Sequence, residues 1–216
     1  MDKRCYIVGA GEDFGLDFTP EKEDLVIAAD GGYAKLLKAG LQPHMVIGDF
    51  DSLGTAPQDE QVITLPTVKD VTDTWAAVDW AVKQGYGEFH LYGCTGGRMD
   101  HTLANLQMAA DLAAKGMHCL IFDKTQVMTA ICGGMVFPAG CEGYLSVFSI
   151  TDVCCGVTLK GLKYELENAR LSNRFPLGVS NEFTGVSAGV TVGSGTALLV
   201  FDRKLYERID KPAFMD

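Results

Sequence analysis

Short apolar runs, separated by polar stretches rich in glycine, organise the first two thirds of the chain. "CYIVGAG" (5–11), "LVIAAD" (25–30), "MVIGDFD" (45–51), "VITLP" (62–66), "FHLYGC" (89–94) and "HCLIFD" (118–123) each end near Gly, Asp or Pro, a pattern that predicts buried strands. Between them, "GGYAKLLKAG" has apolar residues at helical spacing and closes on Gly40, while "VTDTWAAVDWAVKQG" places Val71, Trp75, Val78 and Val82 on one helical face. "HTLANLQMAADLAAKG" repeats the design and stops at Gly116. Such alternation predicts a mainly parallel sheet covered by helices, with ligands at the carboxyl ends of the strands.

From about Met135 the pattern changes. "YLSVFSI", "GVTLKGLKYEL", "GVSAGVTVG" and "TALLVFDR" are short, β-branched and separated by glycine, with no helical periodicity. They predict a second, all-β unit from about 140 to about 210, a small sandwich or partial barrel. "CGGMVFPAGCEG" reads as the connection between the two units, and "DRKLYERIDKPAFMD" as a short helix or a tail. The expected fold class is therefore α/β, a Rossmann-like, mainly parallel N-terminal sheet with helices (1–134) followed by a C-terminal β-sandwich (140–216).

Charge narrows the function. The 28 acidic residues against 18 basic ones give a formal net charge of −10, which argues against nucleic acid as a partner because phosphate backbones need basic surface. An anionic substrate would need a metal ion or a local basic cluster. The opening apolar run is too short for a signal peptide and no 18 apolar residues run together, so a cytoplasmic chain without a membrane segment is expected. The seven cysteines include no C-x-x-C pair and support neither a disulfide framework nor a zinc site.

Within this acidic chain, "GDFDS" sets Asp49 and Asp51 on the same side of an extended segment, where they repel each other. Either a divalent cation lies between them or the pair is solvated at a strand end. "AADGGY" ends another strand on Asp30 and opens a helix after Gly31 and Gly32, leaving backbone N–H groups to face a phosphate. "KDVTDT" adds Lys69, Asp70 and Asp73, the two acids sharing a face if the helix has begun there; capping is the alternative. Three successive strand ends thus bring acids to one sheet edge, and Mg²⁺ favours a few carboxylates together with polyphosphate oxygens.

"GCTGGRMDHTLAN" follows the next strand. Gly96 and Gly97 precede Arg98, a planar fork for phosphate; Asp100 either orients Arg98 or caps the helix, and His101 is a cap, a packing residue or a proton carrier. His44, His90 and His118 read as structural, and Trp75 and Trp80 as core. "GAGEDFG" invites a dinucleotide reading but has Phe14 where the third fingerprint glycine belongs, leaving a glycine loop that lets an anionic ligand approach the backbone. In the β unit, "GLKYEL" and "GVSNEF" hold the convergent polar and aromatic residues.

Taken in order, "AADGG", "GDFDS", "KDVTDT", "GCTGGRMDHTLAN", "GLKYEL" and "SNEF" resemble bacterial thiamine pyrophosphokinases over essentially the whole chain. The resemblance implies a homodimer with its active site at the interface, whose subunit joins an α/β catalytic, nucleotide-binding domain to a thiamine-binding β-sandwich. It implies transfer of the pyrophosphoryl group of ATP to thiamine with release of AMP. Asp30, Asp49, Asp51 and Asp73 match the acids that hold Mg²⁺ and position the triphosphate, with Asp49, Asp51 and Asp73 as its ligands. Arg98 and Asp100 match the pair beside the nucleotide, while Ser180 and Asn181 match a pair that hydrogen-bonds the aminopyrimidine and Tyr164 the aromatic that stacks on it. Some members have Trp in place of Tyr164 and Gln in place of Lys69. Phosphoryl-type transfer needs an in-line alcohol and charge neutralisation, for which Mg²⁺ with Arg98 or Lys69 suffices; Asp73 or Asp100 is the candidate base. Two other readings are a haloacid-dehalogenase-like phosphatase, suggested by the D-x-D of "GDFDSLGT", and a thiamine or nucleotide sensor without turnover.

Overall fold

The computed structural model describes residues 3–49, 61–66, 70–208 and 211–215. They divide into two compact units, Met1–Asn105 with Cys119–Asp123, and Leu106–His118 with Lys124–Asp216. The fold is mixed α/β, with a parallel-stranded sheet in the first unit and antiparallel sheets in the second.

In the first unit, β1 (Arg4–Val8), β2 (Leu25–Ala29), β3 (Met45–Gly48), β4 (Val62–Thr64), β5 (Glu88–Tyr92) and β6 (His118–Phe122) lie in the order β6-β5-β1-β2-β3-β4. The pairs β1–β2, β1–β5, β2–β3 and β3–β4 are all parallel, so their carboxyl ends share one edge. Parallel strands are covered on both faces, which is why "LVIAA" and "MVIG" are apolar at every position and buried throughout. Among the described residues the α-helices are α1 (Gly32–Lys38), α2 (Asp73–Lys83) and α3 (Met99–Ala114), of which α3 belongs to this unit up to Asn105.

The packing expected of α2 changes. In α2 the buried residues are Ala77, Val78 and Ala81, whereas Val71 precedes the helix and is exposed and both Trp75 and Trp80 are half-buried. Alanines let the helix lie close to the sheet, so the indoles are displaced to its flanks. No helix joins β1 to β2; Phe18 from that segment stacks on Tyr6 with ring centroids 4.2 Å apart.

The second unit contains β7 (Gln126–Ile131), β8 (Gly134–Phe137), β9 (Tyr144–Ser149), β10 (Val153–Lys160), β11 (Leu166–Ser172), β12 (Gly178–Glu182), β13 (Ala188–Thr191), β14 (Ala197–Asp202) and β15 (Ala213–Met215). One set runs β12-β9-β14-β7 and the other β11-β10-β13-β8-β15. Phe137 of β8 packs edge-on against Phe201 of β14, at 5.3 Å between centroids, and joins the two sets. The stretch read as a connection is therefore strand: β8 pairs with both β13 and β15. Gly134 reflects close packing, because a Cβ there would stand 3.0 Å from the Val190 carbonyl oxygen, a main-chain atom that cannot swing aside. The expected C-terminal helix or tail is one 3₁₀ turn, Arg203–Leu205, followed by β15.

Candidate active site

A cavity of about 430 Å³ opens at the carboxyl ends of β1, β2 and β5, within the size range of small-molecule sites. Of the residues read from the sequence, Asp30, Asp73, Gly96, Gly97, Arg98 and His101 form its wall. Asp30 leaves β2 at φ +47, a left-handed backbone that is strained for a residue with a Cβ. Its N–H donates to the Ile47 carbonyl at 2.9 Å and its own carbonyl accepts from the Tyr33 N–H at 3.2 Å. Gly48 allows this approach, since a Cβ there would lie 3.1 Å from Asp30 Cα. Asp49 follows at the neighbouring strand end, beyond the cavity wall.

Asp73 is the first residue of α2, where the N-terminal dipole favours a carboxylate. Thr72 caps the helix by accepting the Trp75 N–H at 3.2 Å. Asp70 lies before the cap, so the shared helical face expected for Asp70 and Asp73 does not form. Asp51 and Lys69 fall outside the described residues.

The two glycine loops hold each other. N–H groups of Gly9, Gly11 and Glu12 donate to the carbonyls of Tyr92, Gly93 and Thr95 at 2.8, 2.7 and 3.0 Å. A Cβ on Gly9 would meet Gly93 O at 2.8 Å and one on Gly11 would meet Thr95 O at 2.5 Å, so both glycines admit the facing loop, and Gly11 also stands in the cavity wall. Gly32 is likewise a packing glycine, with Val8 O 1.8 Å from a hypothetical Cβ, and Gly31 sits against Ala10. Neither belongs to the cavity wall.

Four further residues shape the site. Lys35 Nζ donates to the carbonyls of Gly9, at 2.7 Å, and Gly11, and burial pushes its ammonium below the usual lysine range. Its signal was its position three residues after buried Gly32 and one before buried Leu36, on the face that α1 turns inward. Glu12 accepts the Gly97 N–H at 3.1 Å, Asn105 Nδ2 donates to the Cys94 carbonyl at 2.7 Å, and Thr72 lines the wall beside Asp73. Burial pushes the Cys94 thiol up to about 12, which disfavours a thiolate there.

Arg98 engages Asp100 through both Nε and Nη2, at 3.2 and 2.6 Å. Both side chains are exposed, and the guanidinium holds the Asp100 carboxyl below the usual carboxylate range, which makes Asp100 a weak base. Among the described residues no three His, Cys, Asp or Glu lie close enough to hold a metal by themselves. The donors at this edge are nevertheless carboxylates, and a cation that takes one or two carboxylates plus substrate phosphates fits them.

In the second unit, Tyr164 is exposed on the β10–β11 connection, and Ser180 stands in β12 at φ +55. Asn181 is buried, its amide engaged with the main chain of Tyr164 and Glu182 rather than turned outward.

A family model described as the thiamin pyrophosphokinase catalytic domain matches residues 19–121, and one described as the thiamin pyrophosphokinase vitamin B1 binding domain matches residues 136–199. The chain belongs to the thiamin pyrophosphokinase family. A thiamine pyrophosphokinase of Bacillus subtilis (strain 168) is 27% identical over 194 residues, covering 83% of this chain and 88% of its own. Among crystal structures, thiamine pyrophosphokinase from Bacillus subtilis superposes with a TM-score of 0.81 at 26% identity, over 93% of this chain and 99% of that one. Thiamin pyrophosphokinase from Geobacillus thermodenitrificans gives 0.80 at 29% identity, over 92% and 97%. The cavity residues from Ala29 to Asn105 lie within the range matched by the catalytic-domain model, and Tyr164, Ser180 and Asn181 within that matched by the vitamin B1 binding model.

Proposed function

We propose that the protein transfers the pyrophosphoryl group of ATP to the hydroxyethyl oxygen of thiamine, releasing thiamine diphosphate and AMP. The observation that carries this reading is the cavity at the carboxyl edge of the parallel strands, where Asp30, Asp73 and Arg98 meet in a chain matched by both family models. We read 1–134 as the catalytic, nucleotide-binding domain, Rossmann-like in its strand order, and 140–216 as the thiamine-binding β-sandwich.

In this reading the triphosphate enters the cavity beside Arg98, Gly96, Gly97 and His101, with Lys69 as a further cation and Asp70 at its margin. Gly31 and Gly32 bring α1 close enough to fix Asp30. Asp49, Asp51 and Asp73 would hold Mg²⁺, with Asp30 positioning the triphosphate; bound there, the ion neutralises charge on the non-bridging oxygens. Arg98 stabilises charge that grows at the phosphoryl centre, and Asp100 orients its fork. The thiamine hydroxyl attacks in line and loses its proton late, so a weak base suffices; the second carboxylate oxygen of Asp73, on the cavity wall, is better placed for it than the exposed, Arg98-bound Asp100. Tyr164 and Ser180 receive thiamine, whose cationic ring suits an aromatic face, with Asn181 beside them. The exposed apolar residues Phe175, Leu177, Val179 and Tyr144 support a homodimer that completes the pocket. Among the described residues no helix is long and apolar enough to cross a membrane, and the cytoplasm is the proposed location.

The test is a chromatographic assay with Mg²⁺, ATP and thiamine. AMP and thiamine diphosphate should appear in equal amounts, stop on addition of a chelator and resume when Mg²⁺ is restored. ADP or free phosphate would favour a phosphatase, and thiamine binding without AMP a sensor.

A further inference from the structure

Asn181 is only 3% exposed, yet it lies directly behind one of the most exposed aromatic residues of the second unit, Tyr164 at 60%. Its Oδ1 accepts the N–H of Tyr164 at 2.9 Å and that of Glu182 at 3.0 Å, while its Nδ2 donates to the Tyr164 carbonyl at 2.7 Å. Both lone pairs of the oxygen and one of the two N–H groups are thereby spent on main chain. The pattern also fixes the amide orientation, because a flipped amide would set N–H against N–H and oxygen against oxygen.

The local cause is a bulge in β12. Gly178 pairs with Val147 and Asn181 with Leu145, so three steps on β12 oppose two on β9, and Ser180 at φ +55 takes up the extra residue. The Ser180 N–H is satisfied by Ser146 Oγ at 3.0 Å. On the other side, Leu162 bridges Phe183 and the Lys163 N–H donates to the Glu182 carbonyl at 2.9 Å, so the chain approaching Tyr164 runs antiparallel to the end of β12. At the next rung the side chain of Asn181 supplies both a donor and an acceptor, and a main-chain ladder ends in a side-chain clamp.

We propose that Asn181 is a positioning residue that acts on thiamine through Tyr164, holding the main chain of that residue so that its exposed ring is presented in one orientation. The proposal rests on the reading of this unit as the thiamine-binding side. An exposed aromatic on an unclamped connection loses freedom when a ligand stacks on it; the clamp removes the main-chain part of that cost before binding. Lys163, 5.5 Å from the ring centroid and paired with Glu182 at 2.8 Å, adds a second restraint on the same segment. Ser180 is the exposed member of the pair.

The substitution that isolates this is Asn181→Asp, which keeps the volume and the two accepted bonds but turns the donated one into a repulsion with the Tyr164 carbonyl. Thiamine binding should weaken about tenfold, as expected for one lost hydrogen bond with an unpaired carbonyl, with the KM for ATP unchanged. The thiamine analogue bearing oxygen in place of the 4-amino group should weaken by the same factor. In the double variant with Tyr164→Ala, Asn181→Asp should cost nothing further, and Asn181→Ser should show the same non-additivity if the aspartate variant does not fold. Additive losses, or a changed preference between thiamine and the oxygen analogue, would make Asn181 a direct reader of the pyrimidine and overturn the proposal. Wild-type protein that fails to bind thiamine at all would overturn the functional reading together with this one, a result separate from either of those.

Discussion

At Asp30 the chain accepts a left-handed backbone to place a carboxylate at the cavity, and Gly48 across the strand end makes room for it. The identity of Asp30 was legible in the sequence, since an acid closing an apolar run ahead of two glycines marks a strand-to-helix turn. The strain was not, because the turn is held against β3 by the hydrogen bond from the Asp30 N–H to the Ile47 carbonyl, a contact between distant residues. Lys35 shows the converse. Its chemistry depends on the Gly9 and Gly11 carbonyls, more than 20 residues away in sequence, and a lysine in a helical run otherwise reads as solvated. Lys35→Met should leave both carbonyls without that donor, loosen the loop against Gly93 and raise the KM for ATP about tenfold with a smaller change in kcat. Steady-state kinetics with thiamine saturating would measure it; an unchanged KM for ATP would assign the ammonium to stability alone.

Among the elements, α2 shows how a local rule and a packing rule divide the outcome. The T-x-x-W start is encoded locally: Thr72 accepts the Trp75 N–H, and Asp73 adds charge to the first turn. Thr72→Ala should lower stability by about 1 kcal/mol in urea titration, through loss of this cap. Which face of α2 is buried was decided by the sheet, which accepts alanine at close range and leaves the indoles at the flank. The second unit gives the larger surprise. "CGGMVF" reads as a flexible connection because glycine usually signals one, but Gly134 lies in β8 where Met215 and Val190 crowd it. A glycine needed for space and a glycine needed for freedom are the same letter, and only the neighbouring strands distinguish them. For the same reason β15 was invisible: three residues near the end of the chain become a strand only because β8 offers an edge to pair with.

For the molecule as a whole, a net charge of −10 must receive a polyanion and a cation as the proposed substrates. Long-range repulsion slows the approach of ATP and attraction favours thiamine, and salt screens both. Raising monovalent salt from low to physiological strength should therefore lower the KM for ATP and raise that for thiamine, each by about twofold, at constant free Mg²⁺. Parallel changes in both constants would point instead to a general effect of salt on the fold.

By itself the sequence determined the alternation of strands and helices, the switch to β structure, and the acids and glycines at the strand ends. These follow from periodicity and turn chemistry, which act over a few residues. The tertiary structure alone decided that Gly9 and Gly11 face a second loop, that Lys35 supports them, and that Asn181 clamps Tyr164. Each of these depends on a partner distant in the chain. A side chain's hydrogen bonds and the space beside a glycine are properties of neighbours in three dimensions, which no local pattern encodes.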